Sequence, residues 1–403
     1  MMRRSLIAAL TVCSLAVSLA AAADWPNFFG PTRNGLAPDT GLNKDWRNNP
    51  PPVVWRVPMS DNGYAGPCVA DGKVFIIDRN GSNDVVRCLR LADGGEVWRC
   101  SYEEGGGDNY GFARTTPSYA EGKVYTLSRL GILCCIDATA GRILWSKALM
   151  RDFGGKPPQW HYSGSPLVDG NKVIVQSGSP QGNVIAFNRD TGATVWVSDN
   201  TDTAGYATAT VATILGQRQY VMPTGKAVIG LNPDTGKTLW GFNWTTKYDV
   251  NASQPIIEGN FVFITSGYGS GCALVEITPQ GPRPRWDNRE ISAHFSSPIY
   301  YNGYIYSQSD AGGGSLVCMS PQQGQVAWRQ GGFEKGGLLI ADEVIIACAG
   351  NSGDVVMCKA DPSGYQELGR VKPLGGQSWT APILSDGMLL VRNKQALACL
   401  KVK

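Results

Sequence analysis

The stretch Asn232-Pro233-Asp234-Thr235-Gly236-Lys237-Thr238-Leu239-Trp240 constrains this chain more than any other, because it recurs. It reads as a tight turn feeding a short strand with one large aromatic. Proline presets the first turn torsion, aspartate caps the turn through its side chain, and glycine takes the positive φ. Asp190-Thr191-Gly192 leads in the same way to Trp196, Asp137 to Gly141 leads to Trp145, and Asp93-Gly94 leads to Trp98. Pro321 to Gly324 leads to Trp328, with looser copies from Pro279 to Trp286 and from Pro362 to Leu368. A unit repeated at this spacing implies a repeat architecture in which each copy buries its face against the next.

Between the copies lie short β-rich runs such as Val74-Phe75-Ile76-Ile77, Lys123-Val124-Tyr125 and Phe261-Val262-Phe263-Ile264. Each follows a hairpin turn, for example Asp71-Gly72, Glu121-Gly122 or Glu258-Gly259. No segment keeps a helical period, so the chain reads as all-β. A second marker fixes the count. Pro67, Pro117, Pro166, Val211, Pro255, Pro298, Leu338 and Pro382 each end a run of small residues, at steps of 40 to 50. Proline in a strand implies an edge whose N–H has no neighbour to serve, as at the innermost strand of a propeller blade. Trp55, in Val53-Val54-Trp55-Arg56-Val57, is an outer strand with nothing before it, and the C-terminus has three strands but no outer one. Pairing the two ends closes the ring and leaves no open sheet. The expected fold is an eight-bladed β-propeller of four-stranded antiparallel blades, its last blade completed by the N-terminal strand. A seven-bladed ring with a loose end is the alternative.

Residues 1–23 read as a cleaved export signal: Arg3 and Arg4, an apolar run from Leu6 to Leu19, then alanines up to Ala23. The run is too short for a transmembrane anchor. Val12 before Cys13, and the later alanine site, argue against lipidation there. Residues 24–52 form a Pro- and Gly-rich lead-in whose aromatics pack it across the ring, and 53–403 form the propeller. The location expected is periplasmic or secreted. The chain has 36 basic and 33 acidic residues; without Arg3 and Arg4 it has 34 against 33, and no basic stripe, so nucleic acid is excluded as a partner class. Of the 11 cysteines, Cys88, Cys135, Cys318 and Cys358 each fall six residues before the turn glycine, where other repeats carry Ala186, Gly230 and Val275. Cys399 has the equivalent place in the last repeat. A recurring small slot is a packing position, so buried thiols are expected rather than bridges.

Chemistry is expected on the face carrying the longer loops, where Trp98 to Pro117 spans 19 positions and Trp145 to Pro166 spans 21. The residues just before each inner strand should rim the channel there: Arg114, Trp160, His161, Tyr162, Tyr206, Tyr248, Asp249, Asn251, His294, Phe295, Lys335 and Trp379. Both histidines fall in this register and could bind a ligand or move protons, or simply bond a neighbouring loop. No metal site is expected, since neither histidine has Cys, Asp or Glu at ligand spacing. The aromatics suit a stacking pocket for a quinone, a sugar ring or an aromatic side chain, or else loop packing. Gly267-Tyr268-Gly269-Ser270-Gly271 opens no helix and is no phosphate cradle.

The turn-to-Trp repeat resembles that of the PQQ-binding-like β-propeller superfamily, which includes quinoprotein alcohol dehydrogenases and BamB-like propellers. The resemblance covers nearly all of the mature chain, including Trp25-Pro26-Asn27-Phe28-Phe29-Gly30-Pro31, Tyr248-Asp249-Val250-Asn251-Ala252, His294 to Pro298 and Trp379 to Pro382. It is specific for the fold and weak for chemistry. What it implies for a dehydrogenase is PQQ held beside Ca²⁺, with Asp249 and Asn251 similar to the ion's carboxylate and amide ligands. It also implies an adjacent-cysteine disulfide, for which Cys134-Cys135 is the matching pair, although Cys135 already fills the packing slot. Two oxygen ligands on one loop fall short of the six to eight that Ca²⁺ takes. The leading expectation is therefore a non-catalytic exported propeller without a cofactor. It would be a monomer that binds an envelope protein or peptide, or a small ligand at the central channel, through the loop-rich face. The alternatives are a PQQ- and Ca²⁺-dependent alcohol or sugar dehydrogenase, and a carbohydrate-binding propeller using Trp160, Trp244 and Trp379.

Overall fold

A computed structural model describes residues 24–403, so the expected export signal and Cys13 lie outside the described residues. Eight four-stranded antiparallel sheets follow one another around an axis. Seven are continuous in sequence: Cys68–Glu103, Ser118–Ala148, Leu167–Val197, Thr210–Asn243, Ile256–Asn288, Ile299–Gly331 and Lys335–Val371, numbered here blades one to seven. The eighth joins three C-terminal strands, from Ile383 to Lys401, to the N-terminal strand Val53–Pro58. Trp55 lies opposite Cys399 in that pairing. The orphan strand thus closes the ring, as its lone tryptophan suggested. Among the described residues, helix is confined to the five-residue turn Leu149–Phe153 and a 3₁₀ turn at Lys247–Asp249.

The repeated turn-to-Trp stretch locks blade to blade. A β-carbon added at Gly141, at φ +67°, would lie 2.6 Å from the indole of Trp98 in the preceding blade. Gly94 stands in the same relation to Trp55, Gly192 to Trp145, Gly236 to Trp196 and Gly324 to Trp286. Each of these indole N–H groups then donates to a main-chain carbonyl of the same neighbour: Trp55 to Leu91 at 2.7 Å, Trp98 to Ala138 at 3.0 Å, Trp145 to Arg189 at 2.9 Å, Trp196 to Pro233 at 3.0 Å and Trp286 to Pro321 at 2.9 Å; Trp328 makes the same bond to Asp361 at 2.7 Å. Glycine is required because the ring lies flat where a side chain would stand and because the turn needs left-handed backbone. Trp240 departs from the pattern and donates within its own blade to Gln219 Oε1 at 2.5 Å.

The small-residue slot has a matching cause. Cys88 pairs across the strand with Trp98, Cys135 with Trp145, Ala186 with Trp196, Gly230 with Trp240 and Cys318 with Trp328. A small residue opposite each indole leaves room for it to lean onto the next blade. All ten described cysteines are free, nine of them buried. Cys134 and Cys135 face different inter-blade cores, as alternation along a strand requires.

Residues 24–52 thread the ring. Trp25 exchanges main-chain bonds with Val69 on the innermost strand of blade one, at 3.0 and 2.9 Å. Pro26 O accepts from Tyr119 of blade two, and Arg33 Nη2 donates to Val168 O of blade three. Gly35 and Ala37 exchange bonds with Ile340 of blade seven. The segment therefore satisfies inner-strand edges that face the axis, which is where the prolines had signalled unneeded neighbours. It contacts those strands towards their hairpin ends, so it stoppers the channel on the short-turn side. Farther on, Trp46, 1% exposed, packs on Gly369 of blade seven, whose own outer strand carries no tryptophan.

Candidate functional site

With one end closed by this stopper, the axis becomes a well open at the loop-rich face. Its cavity measures about 390 Å³ and has Trp25, Phe28 and Phe29 of the stopper among its lining. The upper wall takes one residue per blade at a single register, three positions before the inner-strand marker: Tyr64, Arg114, Ser163, Ala252, Phe295, Lys335 and Trp379. Blade four breaks the register and supplies Tyr206 from its approach loop. The geometry follows from strand alternation, because equivalent residues of every blade point the same way about the axis.

Aromatic rings form an unbroken arc around the wall. Tyr206 meets Trp160 at 6.3 Å between centroids, Trp160 meets Tyr268 at 6.5 Å, and Tyr268 meets His294 at 4.5 Å. His294 continues to Phe295 at 5.0 Å, Phe295 to Trp379 at 5.5 Å, and Trp379 to Tyr64 at 5.4 Å. Lys335 Nζ lies 5.1 Å over the Trp379 ring and Lys394 Nζ 5.4 Å over Tyr64. His294 Nδ1 is 3.2 Å from Asp310 Oδ2, which Lys335 Nζ also approaches at 3.9 Å.

Arg114 interrupts the aromatics. Its Nη2 donates to the carbonyls of Asn109 and Gly111, and its Nε is buried without a hydrogen-bond partner. Burial is the largest influence on it, followed by the neighbouring Arg129; together they bring its pKa down to about 10, and the field of Asp108 is the weakest of the influences. Beneath it, Phe112 is sandwiched by two guanidiniums, Arg79 at 4.2 Å and Arg129 at 4.9 Å from the ring centre. Glu104 joins them, 2.5 Å from Arg79 Nη1 and 3.1 Å from Arg129 Nε, and Asp84 lies 3.1 Å from Arg79, so those two arginines have carboxyl groups beside them, whereas Arg114 makes no ion pair among the described residues.

Of the twelve rim residues expected from sequence, seven line the well: Arg114, Trp160, Tyr206, His294, Phe295, Lys335 and Trp379. Tyr248 stands at the mouth, 48% exposed and edge-on to both Trp160 and Tyr268. His161 is not among the cavity-lining residues, and burial, with Arg129 and Arg114 nearby, lowers its pKa to about 4, so it is the neutral imidazole at pH 7. Tyr162 is buried between blades two and three with its hydroxyl on Ser177 O at 2.6 Å. The two histidines are thus not partners across one site. Trp244 also lies off the well, its indole N–H on Ser266 Oγ at 2.9 Å. Register alone would have added Tyr64; Tyr268 and Tyr110 come from loops outside it.

The pair implied for Ca²⁺ does not fit that ion. Asp249 Oδ1 is 2.8 Å from Lys226 Nζ and its other oxygen accepts from Thr203. Asn251, 1% exposed, spends its amide N–H groups on the carbonyls of Thr224 and Trp244, and its oxygen on the hydroxyls of Ser266 and Thr246. Neither lines the well. Among the described residues, no three of His, Cys, Asp and Glu converge on one point.

Fold and site together define a class: a closed eight-bladed propeller, stoppered at one end, with an aromatic well at the other. The family model described as outer membrane protein assembly factor BamB matches residues 82–330, more than half of the chain, and the chain belongs to that family. It is 23% identical over 316 residues to the outer membrane protein assembly factor BamB of Yersinia pestis, covering 74% of this chain and 76% of that one. The match to the Escherichia coli (strain K12) protein of the same name is 25% over 148 residues, 35% of this chain and a third of that one, at 33%. Among solved structures, BamB from Moraxella catarrhalis superposes with a TM-score of 0.61 at 17% identity, over 87% of this chain and 99% of that one. A europium-containing methanol dehydrogenase superposes with a TM-score of 0.69 at 14% identity, over 92% and 89%. At these identities the structural likenesses establish the fold alone.

Proposed function

We propose that this chain is a non-catalytic envelope propeller that docks a protein or peptide partner on its loop-rich face. The observation that carries this reading is a ring of tyrosines held outward at the mouth. Tyr110, Tyr248 and Tyr268 are 68%, 48% and 44% exposed, and all three adopt left-handed backbone, at φ +59°, +61° and +56°. Large side chains disfavour that conformation by about 1–3 kcal/mol, so its adoption by three exposed tyrosines at one opening points to function more than to folding. Tyrosine is also the residue type that interfaces favour, offering wide contact at small entropic cost. Membership of a family named for outer membrane protein assembly supports the same direction, and supports an envelope component as the proposed partner.

The opposite face carries the hairpins, the turn-to-Trp connections and the lead-in that stoppers the channel. Photo-crosslinking residues placed at Tyr110 and Tyr248 should capture a discrete partner in the native envelope, whereas one at Lys237 should not. Equal capture from both faces, or none at either tyrosine, would remove the proposal. The dehydrogenase reading loses its expected carboxylate to Lys226, and no other observation favours it.

A further inference from the structure

We propose that the axial well is a binding site for an anionic saccharide, a uronic acid or a glycan ending in one. Its pyranose ring would lie on the aromatic wall and its carboxylate on the Arg114 guanidinium. This goes beyond partner docking at the mouth and does not depend on it.

Three observations converge. The first is charge. Arg114 is held in the wall by carbonyls rather than by a carboxylate, while the arginines behind it are ion-paired with Glu104. A planar guanidinium with donors left over is matched by a carboxylate, which can take two parallel N–H bonds. Lys335 supplies a second cation on the cavity wall. The second is shape. Four of the six successive ring pairs meet at 46°, 62°, 47° and 49°, so the wall around the axis is faceted rather than flat. Sandwiching a flat aromatic ligand between two rings needs parallel faces separated by about 7 Å, twice a van der Waals contact. The near-parallel pairs, Trp379 with Tyr64 and Trp160 with Tyr268, have centroids only 5.4 and 6.5 Å apart. A puckered ring instead presents polarised C–H groups to the electron-rich faces of a faceted wall. The third is lining chemistry: the hydroxyl-bearing residues Thr116 and Ser163 line the same cavity as Arg114. A volume of about 390 Å³ suits one or two sugar units.

Calorimetric titration of the mature protein tests this with four probes: methyl glucuronoside, its uncharged methyl ester, methyl glucoside and 2-naphthoate. The glucuronoside should bind about tenfold more tightly than the ester and the glucoside, the gain expected from one charge-assisted carboxylate contact. Arg114→Gln should abolish that difference, and Trp379→Ala should weaken both sugars. Should Arg114→Gln fail to fold, the acid-against-ester comparison on unaltered protein decides the question, with Lys335→Gln as the second variant. No glucuronoside binding at millimolar concentration overturns the proposal. So does naphthoate binding as tightly as the glucuronoside, or an Arg114→Gln protein that folds and keeps the preference.

Discussion

Asp84 and Glu104 share the Arg79 guanidinium behind the well, Asp84 at 3.1 Å, with one Asp84 oxygen buried and unbonded. Burial, then Glu104, push the Asp84 carboxyl up from 3.8 to about 7 against the pull of Arg79. A carboxyl with a raised folded pKa gains a proton on folding between its two values. Its contribution to stability is therefore greatest at low pH and declines as pH climbs from about 4 to about 7. Asp84→Asn should flatten that part of the melting-temperature profile; an unchanged slope would show that the proton resides elsewhere. A second buried pair, Arg392 with Asp61 at 2.6 Å and both fully buried, ties blade eight to the loop entering blade one. Arg392→Met should lower unfolding free energy by about 3–5 kcal/mol in urea titration, and adding Asp61→Asn should restore part of it. At this scale the sequence was only partly legible. Tyr64 shares the register of Arg114 and Trp379 and could be counted from Pro67. Asn251 stands near the same register, yet its amide is consumed by loop carbonyls, a use that spacing cannot reveal.

Among the elements, the blades were the most legible part, because a turn, a glycine and an indole repeat within a few residues of one another. The lock is local in each copy even though it joins two blades. Trp46 was not legible, since the glycine it covers, Gly369, belongs to the far end of the chain. Trp46→Ala should cost about 3–5 kcal/mol, as for other buried tryptophans cut to alanine, and the loss should appear as a lower urea midpoint. A loss under about 1 kcal/mol would mean that blades seven and eight close over the gap. Tyr268 was hidden differently. Its glycine-rich loop is flexible in composition, and only the fold shows that it brings a ring against His294.

For the whole molecule, ring closure rests on the strand Val53–Pro58 covering Ala396–Lys401. Removing residues 24–58 should bare that edge and the axial edges covered by the lead-in. Light scattering should then detect self-association that the mature chain does not show; a monodisperse monomer would mean that the open ring protects its own edges. The lead-in also has a temporal consequence. Leu36 pairs beside Ile340, and Asp39 accepts from Gly387, across a separation of 348 residues. The lead-in can seat its first residues on blades one to three early, but its second half, from Gly35 onward, is made long before its partners and cannot find its seat until blades seven and eight are built. Closing so long a loop is slow relative to hairpin formation. Refolding should accordingly pass through a ring whose axis is still open at both ends, and only the final step turns a tube into a cup.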